Sequence, residues 1–157
     1  MILHVFNPEN DLALADGGAN YCPPPAAAQI ASDLATLPLW FADEDDAVLL
    51  PATAHSDFCT SLSASFNLAA PYSDSLKDSI TAIRPWGWSP QIKRRLKASG
   101  FDDALLPSDE EIAKLRELSN RRTAVSVLAA LKQCGIDTPD IPLYLTSPDD
   151  VAAYVIS

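Results

Sequence analysis

Apolar residues in this chain come in short runs, each cut off by a proline, a glycine or a cluster of polar groups. Ile2–Phe6 is the first run, and its length and its Val and Phe fit a buried parallel strand. Asn7-Pro8 ends it, and Glu9, Asn10 and Asp11 make a polar loop before Leu12–Ala15 turns apolar again. Asp16-Gly17-Gly18 and Asn20 mark a turn. After Pro23-Pro24-Pro25, the positions Ala27, Ile30, Leu34 and Leu37 recur at helical spacing, which predicts a helix over about 24–36. Leu39-Trp40-Phe41 reads as a short strand and Ala47–Leu50 as a second buried one, stopped by Pro51. Ser56–Phe66 is a helix weakened by its serines, and Ser79–Arg84 a third strand that ends at Pro85-Trp86-Gly87-Trp88.

The second half reads mainly as helices. Ser89 and Pro90 open a helix over Gln91–Ser99, and Gly100 closes it. Its basic run, Lys93-Arg94-Arg95-Lys97, leaves Ile92 and Leu96 for a core and the rest for solvent. Ser108 and Glu111 form a capping box ahead of Ile112, Leu115 and Leu118. Asn120 caps a further helix, Arg121–Lys132, with Ala124, Val127, Leu128 and Leu131 on one face and Gly135 at its exit. Leu143–Thr146 reads as a short strand, and Ser147-Pro148-Asp149-Asp150 starts a last helix. Strands that alternate with helices predict a three-layer α/β domain with a mostly parallel sheet at 1–107, followed by a helical connector at 108–157.

Composition narrows the function classes. The 157 residues are 48% hydrophobic and 20% charged, ordinary for a globular protein, and no apolar run is long enough to span a bilayer. Met1–Phe6 has neither the basic start nor the cleavage site of a signal peptide. A net charge of −10 argues against nucleic acid or an anionic membrane as partner. The charge is also unevenly spread: no Lys or Arg precedes Lys77 and none follows Lys132. An anionic ligand therefore finds its complement only in that middle segment. Cys22, Cys59 and Cys134 are odd in number and widely spaced, which points to reduced thiols in the cytoplasm and not to a zinc site or a disulfide framework.

No GxGxxG, no GxxxxGK[ST] and no GxSxG motif occurs. His4, inside the first strand, reads as a hydrogen-bonded core histidine, and His55 as a cap or surface residue. The candidate site is therefore the loop after the first strand, because open α/β sheets take ligands outside the carboxyl ends of their strands. Glu9 and Asp11 there could orient a substrate amine or hydroxyl or help to hold Mg²⁺; the alternative is that Asn7 and Asp11 form an Asx-turn and a helix cap. Trp86 and Trp88 flank Gly87 at the end of another strand and make either an aromatic wall for a ligand, with Gly87 allowing close backbone approach, or a turn that plugs the core. Arg84 is the base placed to clamp a carboxylate or phosphate. The candidate substrate-binding set is thus Asn7, Glu9, Asp11, Arg84, Trp86 and Gly87, with no catalytic residue and no metal ligand.

The stretch Ser119–Ile156 resembles the segment that opens the ATP-grasp domain. Asn120-Arg121 stands where that superfamily has a capping pair, Gly135-Ile136 at the helix exit, and Ser147–Asp150 at the next cap. NPENDLALA at 7–15, PWGW at 85–88 and SNRRTA at 119–124 resemble, more narrowly, a bacterial family of ATP-grasp-like proteins. The resemblance implies that the residues before the connector are a Rossmann-like pre-ATP-grasp domain. It also implies a role in holding the acceptor substrate of a carboxylate–amine or carboxylate–thiol ligase. The lysines and glycine-rich flap that hold ATP, and the groups that hold Mg²⁺, come later in such proteins. ATP and Mg²⁺ are then cofactors of a longer parent protein, whose C-terminal ATP-grasp domain is this portion's partner, and this portion alone is not catalytically competent. The alternative is a non-catalytic α/β module that binds a small ligand or a basic protein. A free-standing hydrolase is the weakest reading, since no nucleophile, base and orienter assemble from these spacings.

Overall fold

Four short parallel strands form one sheet in the computed structural model, which describes residues 1–51, 56–143 and 145–156, with 56 and 156 by backbone alone. The strands are β1 (Ile2–Val5), β2 (Ala47–Leu49), β3 (Ala70–Pro71) and β4 (Ala82–Pro85), in the spatial order β3-β2-β1-β4. Leu3 lies beside Ala47 on one side and Ile83 on the other, so these three share a face. They join Val5, Ile80 and Phe101, and Ile92 and Leu96 of helix α4 (Pro90–Ala98), in one apolar cluster. Val48 points the other way and packs with Leu39, Ala69 and Cys59 of helix α3 (Ser56–Phe66). The chain is thus an α/β protein with an all-parallel sheet that buries apolar side chains on both faces.

The remaining helices are α1 (Asn10–Asp16), α2 (Pro25–Asp33), α5 (Asp109–Leu118), α6 (Arg121–Gln133) and α7 (Pro148–Ile156). The chain's polar signals set their starts. Ser89 Oγ accepts the Ile92 N–H at 3.4 Å at the start of α4. Ser108 and Glu111 bond reciprocally at 3.1 and 2.7 Å ahead of α5, the expected capping box. Asn120 accepts the Arg122 N–H at 2.9 Å, and Ser147 and Asp150 repeat the reciprocal pattern at α7.

Four local expectations are corrected. Asn10 and Asp11, expected in a loop, open helix α1, whose Ala13 and Leu14 are buried. Leu39 and Trp40 lie in a 3₁₀ turn, Leu37–Trp40, that Pro38 helps to start, and not in a strand. Ser79 closes another 3₁₀ turn, Asp74–Ser79, and the strand begins three residues later, at Ala82. The described residues between 143 and 146 are not strand, and Thr146 bonds to the Asp150 carboxylate. Tyr144 and His55 lie outside the described residues.

By contacts the chain divides into Met1–Arg116 and Glu117–Ser157. The sequence puts a boundary before α5, and the first unit runs on through Arg116. That arginine donates from Nη2 to the Ala15 carbonyl at 2.6 Å and so caps the end of α1. In the second unit, no described residue is buried.

Candidate functional site

The strand order decides where a ligand has room. β1 is flanked by β2 on one side and β4 on the other, and the chain reaches β4 only after building outward through β2 and β3. The carboxyl ends of β1 and β4 therefore lie side by side where the strand order reverses, the place where open parallel sheets take ligands. Asn7 joins those ends. It is 1% exposed; its Nδ2 donates to the Gly87 carbonyl at 2.8 Å, and its Oδ1 accepts the Gly87 N–H at 3.3 Å. Both polar ends of one buried side chain are thus used on one peptide group pair of the facing loop. A methyl group at Gly87 would overlap the Asn10 carboxamide, which would have to move to admit it.

A cleft of about 430 Å³ opens at the ends of β1 and β2, between α2 and α4. Its polar groups are Glu9, Gln91, Arg95, Ser32 and Ser99, and its apolar wall includes Phe6, Ala31, Ala35 and Leu49. Glu9 is 6% exposed, and its Oε2 makes no hydrogen bond among the described residues; the same holds for Gln91 Oε1. Burial pushes the Arg95 guanidinium below its ordinary value, and the Glu9 charge opposes that drop. Arginine stays cationic through any working pH. Among the described residues, the cleft lining therefore supplies one cation, Arg95, and two residues, Glu9 and Gln91, that each hold a buried, unpaired acceptor oxygen.

Of the residues proposed from sequence, Asn7 and Gly87 meet, and Glu9 lines the cleft. Asp11 sits exposed in the first turn of α1, away from the cleft lining. Arg84 and Trp86 line a separate pocket of about 200 Å³ with His4, Pro38 and Phe41. Arg84 pairs in register with His4, whose side chain shares Val48's face, so it points away from the Leu3 face. Trp86 packs edge-on against Phe6, with ring centroids 5.5 Å apart. His4 is hydrogen-bonded, to Asp46 Oδ2 at 3.0 Å. Burial raises the Asp46 carboxyl, but the bonds from His4 and the Ile2 N–H outweigh it and hold the group below its ordinary value.

Gln91 and Arg95 were not singled out by sequence, where Arg95 read as one more charge on a solvated face. The available signal was spacing: Gln91, Arg95 and Ser99 fall four residues apart, on one stripe of α4 and its C-terminal cap. A third concavity, of about 570 Å³, is lined by Lys93, Arg94, Lys97 and Arg116. Several of these charges are already engaged, Lys93 with Asp109 and Lys97 with Asp103 at 2.6 Å each.

Among the described residues, no group of three or more His, Cys, Asp or Glu side chains is placed to hold a metal ion. No described helix is long and apolar enough to cross a membrane. No family model, curated protein or solved structure matches the chain.

Proposed function

We propose that this chain is the acceptor-binding portion of a cytoplasmic, ATP-dependent carboxylate–amine or carboxylate–thiol ligase of the ATP-grasp kind. Its sheet is then a Rossmann-like pre-ATP-grasp domain, and the residues from α5 onward are the connector and opening of the ATP-grasp domain. The observation that carries this reading is the paired strand ends. The Asn7–Gly87 bridge fixes the β1 and β4 loops, and the Glu9 cleft opens at the adjoining carboxyl ends of β1 and β2, with Gln91 and Arg95 of α4 in its lining. The ordered sequence signals, NPENDLALA, PWGW and SNRRTA, agree with it.

The cleft does not suit ATP with Mg²⁺. Among the described residues, a triphosphate would meet the Glu9 carboxylate with one arginine to offset it, and no glycine lines the walls. ATP and Mg²⁺ therefore belong to the rest of a parent protein, and no chemical step is assigned to these residues. Their work is to bind the acceptor, to orient it and to shield it from water. Titration calorimetry on the chain with ATP and Mg²⁺ tests the division of labour. No saturable heat is expected, and tight Mg²⁺-dependent ATP binding would overturn it.

A further inference from the structure

The geometry points to a free α-amino acid, or a molecule with the same ammonium and carboxylate pair, as the ligand of the Glu9 cleft. This rests on the acceptor-binding reading and names the acceptor's chemical class. Glu9 Oε2 and Gln91 Oε1 are both buried, both unpaired among the described residues, and both belong to residues that line the cleft. A buried acceptor without a donor is costly, so the two oxygens call for a group rich in N–H. An ammonium has three donors and the charge that complements a carboxylate.

Arg95 supplies the other half. It lies one helical turn beyond Gln91 on α4 and lines the same cleft, and its guanidinium makes no hydrogen bond or ion pair among the described residues. Its paired N–H groups suit a carboxylate. Glu9 and Arg95 feel each other's charge but lie beyond ion-pair distance, so neither neutralises the other directly. A zwitterion satisfies both at once. A simple amine leaves Arg95 without a partner, and a phosphate is set against Glu9. Ala28, Ala31, Ala35 and Leu49 give the ligand's side chain an apolar wall, and a cleft of about 430 Å³ falls within the size range of small-molecule sites.

The test is titration of the full chain with the proteinogenic L-amino acids, each to roughly 10 mM, a range that captures affinities down to the millimolar level. The best binder is then compared with its methyl ester and its N-acetyl form, which remove one charge each. Saturable binding is expected for at least one amino acid. Either blocked form, and either variant Glu9→Gln or Arg95→Gln, should weaken it about tenfold or more, as loss of a charge-assisted bond does. Each variant must keep a cooperative melt; Gln91→Met replaces Glu9→Gln if that one does not. The inference fails if no amino acid saturates, which would mean water alone serves the buried acceptors. It also fails if the blocked forms bind equally well, or if binding ignores the variants. A ligand with only one of the two charges, bound in a Glu9-dependent way, would sink the zwitterion and leave the acceptor-binding reading standing. Tight binding of ATP with Mg²⁺ would sink that reading itself.

Discussion

Asn7→Asp tests the bridge between β1 and β4 with almost no change of shape. The amide nitrogen that donates to the Gly87 carbonyl at 2.8 Å becomes an oxygen, so two acceptors face each other inside the protein. Losing the hydrogen bond costs about 1 kcal/mol, and stranding the half-buried Gly87 carbonyl adds about 1–3 kcal/mol. The sum, about 2–4 kcal/mol, is a large part of the roughly 5–15 kcal/mol that holds a domain together. The effect also carries a pH signature. Burial raises the new carboxyl group above its unfolded value near about 3.9. Between that value and the raised one, the folded state keeps a proton that the unfolded state releases. Stability must therefore fall as pH rises through this window, by up to about 1.4 kcal/mol per unit, and level off above it. Below about pH 4 the protonated acid can donate to Gly87 again, and most of the loss should vanish. Urea unfolding followed by tryptophan fluorescence at several pH values, with the wild type subtracted, measures this. A loss under about 0.5 kcal/mol at pH 8, flat with pH, would be the ordinary result of a surface change and would refute the bridge.

Three further outcomes follow from other contacts. Asp46 is held below its ordinary carboxyl value of 3.8 by His4 and the Ile2 N–H. Its contribution is present above that value and lost as pH falls through the lower folded one, so Asp46→Asn should flatten the acid limb of the stability curve. Arg116→Ala removes the donor to the Ala15 and Asp16 carbonyls, at 2.6 and 3.4 Å, and should cost about 1 kcal/mol at low salt, with faster amide exchange confined to α1. Cys22 and Cys134 are exposed and Cys59 is buried, so a thiol reagent should label two sites in the native protein and the third only after unfolding.

What the sequence revealed, and what it hid, follows from the range of the forces involved. The helices from α4 onward were legible because their signals are local: Ser89-Pro90, Ser108 with Glu111, Asn120, and Ser147 with Asp150 each act within one turn. Helix α1 was not, because it is seven residues long and lacks a side-chain cap at its start, and its end is completed by Arg116, about a hundred residues away. The two residues of β3 carry no period at all. The pairing of Leu39, Trp40 and Phe41 looked like a strand by residue type, but Leu39 buries equally well from a 3₁₀ turn. At the site, Asn7, Glu9 and Gly87 were readable because each sits at a break in an apolar run. Arg95 was hidden by its basic neighbours; its spacing from Gln91 sets it apart from Lys93 and Arg94, but only the fold shows which stripe of α4 meets a cleft.

The central place of β1 has a consequence for how the protein comes to be folded. Residues 2–5 wait for partners about 45 residues on in β2 and about 80 residues on in β4. The Asn7–Gly87 bridge spans the longer interval. Closing such loops costs entropy before any contact offsets it, so sheets of this kind form slowly compared with local helices. On a ribosome, the first strand would emerge long before either neighbour. The ligand cleft, built from residues near 9 and near 95, would form only once α4 has joined the sheet, and a ligand that binds there would favour that state over every earlier intermediate.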